Sequence, residues 1–253
     1  MRFLKYYLKE GTHGEYKTHR SKELSEKEAK KVLHTKCSKA LKDYLSGGVM
    51  FRGIRGDTSH YKFTDPSKGE KRKSAFATGN YYNDIIENAP EWSKFPQRSI
   101  VATTDFDNAD DRGTAFDIFP FNGFKIGICP ADDIFWSFKK LSSDAGYFND
   151  EMRNIIVYFS TPKWSKPSVK SDDWKSLRDF MKSVTKKDLD GLHIGSEFLG
   201  YDTLYDAVTD IINPRGFKVV SSLPKVKDKE VWTDSPCLLV EHDYSGNYFN
   251  SIK

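Results

Sequence analysis

An arginine inside a short apolar run is the feature that most limits how this chain can fold. Residues 49–56, VMFRGIRG, read as a β-strand, because their branched and aromatic side chains suit a pleated, half-buried surface. Arg52 sits at the inner end of that run, where burying a guanidinium is costly unless an anion or polar acceptor meets it. The strand therefore calls for an anionic partner at this point. Gly53, which has no Cβ, lets the backbone come close to whatever Arg52 holds.

Gly47 and Gly48 separate that strand from a strong helix signal. Ser25 and Glu28 have capping-box spacing, and Ala29, Val32, Leu33, Cys37, Ala40, Leu41, Tyr44 and Leu45 fall on one face. Residues 25–45 are thus predicted as one amphipathic helix packed on the following sheet. The Pro, Gly and Ser content of residues 58–74 predicts a loop without regular structure. Residues 80–88, NYYNDIIEN, read as a short helix whose Tyr81 and Tyr82 offer rings that stack on a planar ligand or pack in the core.

Residues 99–104, SIVATT, form a second strand that finishes in the hydroxyl pair Thr103 and Thr104. Residues 115–129 hold two strand-like runs joined through Pro120, Phe121, Asn122 and Gly123, and Asn-Gly is a strong tight-turn signal. Asp132 and Asp133 then stand side by side, either as acidic residues at a helix start or as a pair able to bind a metal or supply a base. Residues 154–160, NIIVYFS, read as a strand. Residues 171–186 and 201–212 read as helices, the first with Trp174, Leu177, Phe180, Met181 and Val184 inward, and together they make residues 162–216 a helical insert. Strand character resumes over 217–221, and Glu230 heads a late strand followed by another over 237–240.

These segments resemble the three short motifs of the ADP-ribosyltransferases, in the same order. There an aromatic-Arg-Gly closes a first strand, a Ser-Thr-Ser type sequence ends a second, and a glutamate opens a late one; here Phe51-Arg52-Gly53, Ala102-Thr103-Thr104 and Asp228-Lys229-Glu230 look like them. The first hydroxyl of the second motif is replaced by alanine, and Asp228 stands where the family often has Glu or Gln. The resemblance spans residues 49–240 with the insert between. It implies a single α/β domain of mixed, largely antiparallel sheet with flanking helices and a split core, in which residues 1–48 form a basic helical N-terminal region.

The resemblance also implies chemistry. NAD is the expected cofactor, gripped at its diphosphate by Arg52 and contacted by Gly53, Tyr81, Tyr82, Thr103 and Thr104. Glu230 is the expected catalytic carboxylate, Thr103 and Arg52 complete the catalytic set, and Asp228 orients the acceptor. Cleaving the nicotinamide-ribose bond passes through an oxocarbenium-like cation, which a fixed carboxylate stabilises electrostatically. Glu241 and the Asp132 and Asp133 pair remain rival acids. The overall look is that of phage or bacterial toxin-like members, with RNA, DNA or protein as the macromolecular acceptor and an antitoxin or chaperone as a possible partner.

Composition narrows the alternatives. The 253 residues carry 40 basic and 36 acidic side chains, a net charge of +4, which describes a mixed, solvated surface. The basic excess is local, in residues 5–42 and around Lys68, Lys71, Arg72 and Lys73, where it serves either as solvated faces or as contact for a polyanion. Mean hydropathy is -0.65, no apolar run reaches the length of about 18 residues that suggests a membrane helix, and the N-terminal stretch lacks a signal-peptide pattern. Cys37, Cys129 and Cys237 are scattered without a CxxC pair, which points to free thiols in a reducing cytoplasm. Walker, GxGxxG, GxSxG and HExxH patterns are absent, and the six histidines show no metal spacing. The competing readings are a non-catalytic phage or nucleic-acid-associated binding module and a metal-dependent nuclease using Asp132, Asp133 and Glu241.

Overall fold

A computed structural model describes residues 21–68, 99–132, 137, 148–159, 166–167, 174–192, 198–210 and 217–245. Strand β1 (Lys22–Glu23) leads into helices α1 (Glu26–Lys36) and α2 (Ser38–Leu45), and then into β2 (Phe51–Ile54) and β3 (Tyr61–Thr64). Next come β4 (Ile100–Thr103), α3 (Phe106–Asp110), β5 (Thr114–Pro120) and β6 (Ile126–Ile128). Four helices follow, α4 (Phe148–Phe159), α5 (Trp174–Ser183), α6 (Lys186–Asp190) and α7 (Leu204–Asp210), before β7 (Lys218–Val220), β8 (Glu230–Thr233) and β9 (Cys237–Glu241).

The strands form one nine-stranded sheet in the order β1-β3-β9-β5-β2-β4-β8-β6-β7. Every ladder among the described strands is antiparallel, and helices flank the sheet. Two main apolar clusters hold it together. One joins Leu33, Cys37 and Leu41 of the N-terminal helical region to Ile118, Phe119, Leu238 and Leu239. The other gathers Phe159, Phe180, Met181 and Leu204 of the later helices around Trp232 and Cys129. Within the predicted insert, Phe180, Met181 and Val184 are fully buried.

The helix expected over 25–45 is two helices. Its start is as predicted: Ser25 and Glu28 form a reciprocal capping box. The break falls at Cys37, whose buried thiol donates to the Phe119 carbonyl at 3.2 Å. Asn122 fills the break from outside, its side-chain oxygen accepting the Lys39 amide at 3.0 Å and its own backbone amide donating to the Lys36 carbonyl at 2.6 Å. The Asn-Gly turn is present, with Gly123 at φ +86°, but it makes no hairpin. Strand β5 pairs with β2 and β9 while β6 pairs with β7 and β8, and Asn122 acts instead as a cap for α2.

Two further expectations are corrected. Residues 58–74 were expected to lack regular structure, yet Tyr61, Lys62, Phe63 and Thr64 are β3, paired residue by residue with β9, and a 3₁₀ turn follows over Pro66–Lys68. A distant partner strand outweighs the local turn signals. Residues 154–160 were expected to be a strand, yet 154–159 complete α4. Ile155 and Phe159 are buried four residues apart while Val157 is 63% exposed, a helical rather than a strand pattern.

Candidate functional site

Directly opposed residues in an antiparallel ladder share a face, and successive residues alternate between faces. Phe51 opposes Asp117 on one side and Thr103 on the other, and Thr103 opposes Glu230. Asp117, Phe51, Thr103 and Glu230 therefore form one row across β5, β2, β4 and β8. Arg52 opposes Phe116, which opposes Glu241, so these three occupy the other face. The three strands expected to carry the site are adjacent, but Arg52 does not share a face with Thr103 and Glu230.

Glu230 is 7% exposed at the first position of β8. Its Oε1 accepts the indole N–H of Trp232, which is two residues on and on the same face. Its backbone amide donates to the Ala131 carbonyl at 3.2 Å and its carbonyl accepts from Cys129 at 2.9 Å, so the chain on both sides of the carboxylate is fixed. The hydroxyl pair divides its tasks. Thr103 Oγ1 accepts the Asp105 amide at 3.0 Å, while Thr104 Oγ1 accepts the Lys229 amide at 3.1 Å. The Thr104 amide returns a bond to the Lys229 carbonyl at 3.0 Å, locking the end of β4 to the start of β8. Asp228, exposed, takes φ +53°, a left-handed turn that Asp tolerates better than most residues and that swings the chain into β8.

Gly53 has a different reason from the one the sequence suggests. A Cβ there would lie 1.9 Å from the Ala109 carbonyl oxygen and 2.8 Å from Arg112 Cβ, so glycine is required for α3 to cross β2. Arg52 itself donates to the Val101 carbonyl at 3.3 Å and so braces β2 against β4. Burial pulls its pKa down from the ordinary arginine value, and the nearby Arg112 charge adds to that.

Of the rival acids, Asp132 and Glu241 lie far apart. Asp132 is exposed beyond β6, Asp133 lies outside the described residues, and Glu241 ends β9, five strand positions from β6, on the order of 24 Å at the usual spacing. His60 Nδ1 pairs with Glu241 at 2.5 Å. Among the described residues no group of three or more His, Cys, Asp or Glu is placed to hold a metal ion. Tyr81 and Tyr82 lie outside the described residues, as do Lys71, Arg72 and Lys73.

One cluster escaped the sequence reading. Asp117, 1% exposed, accepts His242 Nδ1 on Oδ2 at 2.9 Å, while its Oδ1 has no hydrogen-bond partner. Phe106 and Phe51 pack their rings on the imidazole at 4.5 and 5.6 Å between centroids. The hydrogen bond to Asp117 raises the pKa of His242 against the opposing effect of burial. Burial, and then the Asp117 charge, push the Tyr44 phenol up to about 12. An aspartate inside the apolar run AFDIFP was the available signal, since an acid there needs a partner from elsewhere in the chain.

Burial also raises the thiols of Cys37, to about 12, and Cys237, well above the ordinary value; all three cysteines are buried and unbridged. Among the described residues no helix is long and apolar enough to cross a membrane. Compared with protein-family models, with curated proteins and with solved structures, the chain matches none.

Proposed function

We propose that this chain is an NAD-dependent mono-ADP-ribosyltransferase, toxin-like in type, that transfers ADP-ribose to a nucleic-acid or protein acceptor. The observation that carries the reading is the register pairing of Thr103 with Glu230: a buried carboxylate at the head of β8, directly across from a hydroxyl at the end of β4. A carboxylate held in this way by Trp232 and the fixed backbone is preorganised to meet positive charge developing at a ribose carbon. Thr103 orients the sugar beside it. Asp228 shapes the loop from which an acceptor approaches, and an antitoxin or chaperone would cover the same face.

Arg52 takes a changed role in this reading. It sets the spacing of β2 and β4 from behind the sheet, and the NAD diphosphate is gripped from the Glu230 face instead. A second reading, a non-catalytic binding module, is favoured by the same separation of Arg52 from Glu230. Thermal melting in millimolar NAD distinguishes the two. The transferase reading expects NAD to raise the midpoint of both the wild type and Glu230→Gln, whereas no shift in either protein makes the binding module the better account.

A further inference from the structure

Two segments far apart in sequence meet just before the start of β2. Residues 36–48 run through α2 and its C-terminal turn, and residues 221–229 lead into β8. Leu223 donates its amide to Asp43 Oδ2 at 3.0 Å, and Val49 donates to the Pro224 carbonyl at 2.9 Å. Gly48 lies so close to the second segment that a Cβ there would sit 2.8 Å from Leu223 Cβ. The two segments hold six lysines and two aspartates, a net charge of +4 that equals that of the whole chain, so the excess is concentrated here. Asp43 spends an oxygen on Leu223, and Asp228 is exposed. Lys42, Lys225 and Lys227 are exposed and form no ion pair among the described residues. Apolar side chains protrude between them. Val226, 43% exposed, stands between Lys225 and Lys227, and Leu45, 48% exposed, ends α2. Lys39 and Lys42 lie on the side of α2 away from buried Ala40 and Leu41.

We propose that this surface seats the protein on an anionic lipid bilayer, with the lysines among the headgroups and Leu45 and Val226 dipping into the interfacial layer. Lysines are drawn to an anionic leaflet electrostatically, and stable attachment takes a second, apolar contact beside the polybasic one. Leu45 and Val226 supply that contact. A nucleic-acid backbone is the other obvious polyanion, but its phosphates gain nothing from two apolar tips. Single strands are held on open aromatic rings, and the rings here are occupied. Phe124, with Lys39 Nζ 4.9 Å above it, is buried, and Tyr44 packs on Phe119. The lipid surface does not depend on the transferase reading.

The test is co-sedimentation with phosphatidylcholine vesicles, with and without phosphatidylglycerol, and with a DNA duplex as a separate arm. The wild type is expected to bind the anionic vesicles and not the neutral ones, and Glu230→Gln to bind equally well. Lys225→Gln and Lys227→Gln together should weaken binding by about 30-fold. Leu45→Ser and Val226→Ser together should weaken it severalfold with every lysine in place. These side chains are exposed, so both double variants are expected to melt as the wild type does. The fluorescence added by Val226→Trp should shift to the blue on anionic vesicles. No binding to anionic vesicles, equal binding to neutral ones, or binding unchanged in the serine variant would overturn the proposal. Binding to the DNA duplex without binding to vesicles would assign the lysines to nucleic acid and overturn it as well. Absence of an NAD shift in melting would count against the transferase reading and leave this surface standing.

Discussion

Arg52 and Glu230 lie on opposite faces of one antiparallel sheet, although their strands are separated only by β4. The parity follows from register. Phe51, not Arg52, opposes Thr103, and Thr103 in turn opposes Glu230. The catalytic proposal therefore rests on the Thr103 and Glu230 pair, and Arg52 belongs to the packing and charge balance of the other face.

That division makes Arg52 a stability residue. Arg52→Met removes the bond to the Val101 carbonyl but also removes a partly buried charge, so the net cost is expected to be modest, about 1 kcal/mol in urea denaturation. The NAD-induced rise in melting temperature should persist in the folded variant. Loss of that rise with an unchanged urea midpoint would return Arg52 to the NAD site.

Gly53→Ala should be far more disruptive than its size suggests. The added Cβ would meet the Ala109 carbonyl oxygen at 1.9 Å, so α3 must lift from β2. A loss of about 3 kcal/mol in urea denaturation is expected, at the upper end for overpacking because the obstacle is backbone. A midpoint within error of wild type would show that α3 does not cross β2 as described.

The caps of the N-terminal helices differ in reach. Ser25→Ala removes one exposed capping box and should cost about 1 kcal/mol. Asn122→Ala removes the side-chain acceptor for the Lys39 amide and the side-chain donor to the Thr35 carbonyl, so the account predicts a larger loss. Far-ultraviolet circular dichroism through a urea titration ranks the two variants, and a ranking with Ser25→Ala more damaging would contradict the role given to Asn122.

His242 should make stability fall on the alkaline side. Its folded pKa is raised by the bond to Asp117 above the unfolded value, so the favourable contribution is fully present below about pH 6.5 and is lost as pH rises through the folded pKa. The urea midpoint of the wild type is expected to drop across that window. In His242→Gln the drop should be reduced, and an identical profile in both proteins would remove His242 from the linkage.

Much of the fold was legible where the signal was local. The Ser25 and Glu28 cap, the strand around Phe51 and Arg52, the strand ending at Thr103 and the start of β8 at Glu230 all depend on neighbouring residues. What escaped depends on distant ones. Residues 61–64 become a strand because β9 pairs with them, and residues 154–159 are helical because Ile155 and Phe159 meet the later helices. The face on which Arg52 falls is of the same kind: sliding β2 by one residue against β4 would move its side chain to the other side, and nothing in Phe51-Arg52-Gly53 alone fixes that register. Asp117 and His242, 125 positions apart, were invisible as a pair for the same reason.

The central claim is best tested by measuring nicotinamide release from NAD by the wild type, Glu230→Gln and Arg52→Met. Glu230→Gln is predicted to remain folded, because its side-chain carbonyl still accepts the Trp232 indole, and to lose activity by about 100-fold or more, while folded Arg52→Met retains most of it. Undiminished release by Glu230→Gln, or no release above background from the wild type, would contradict the account.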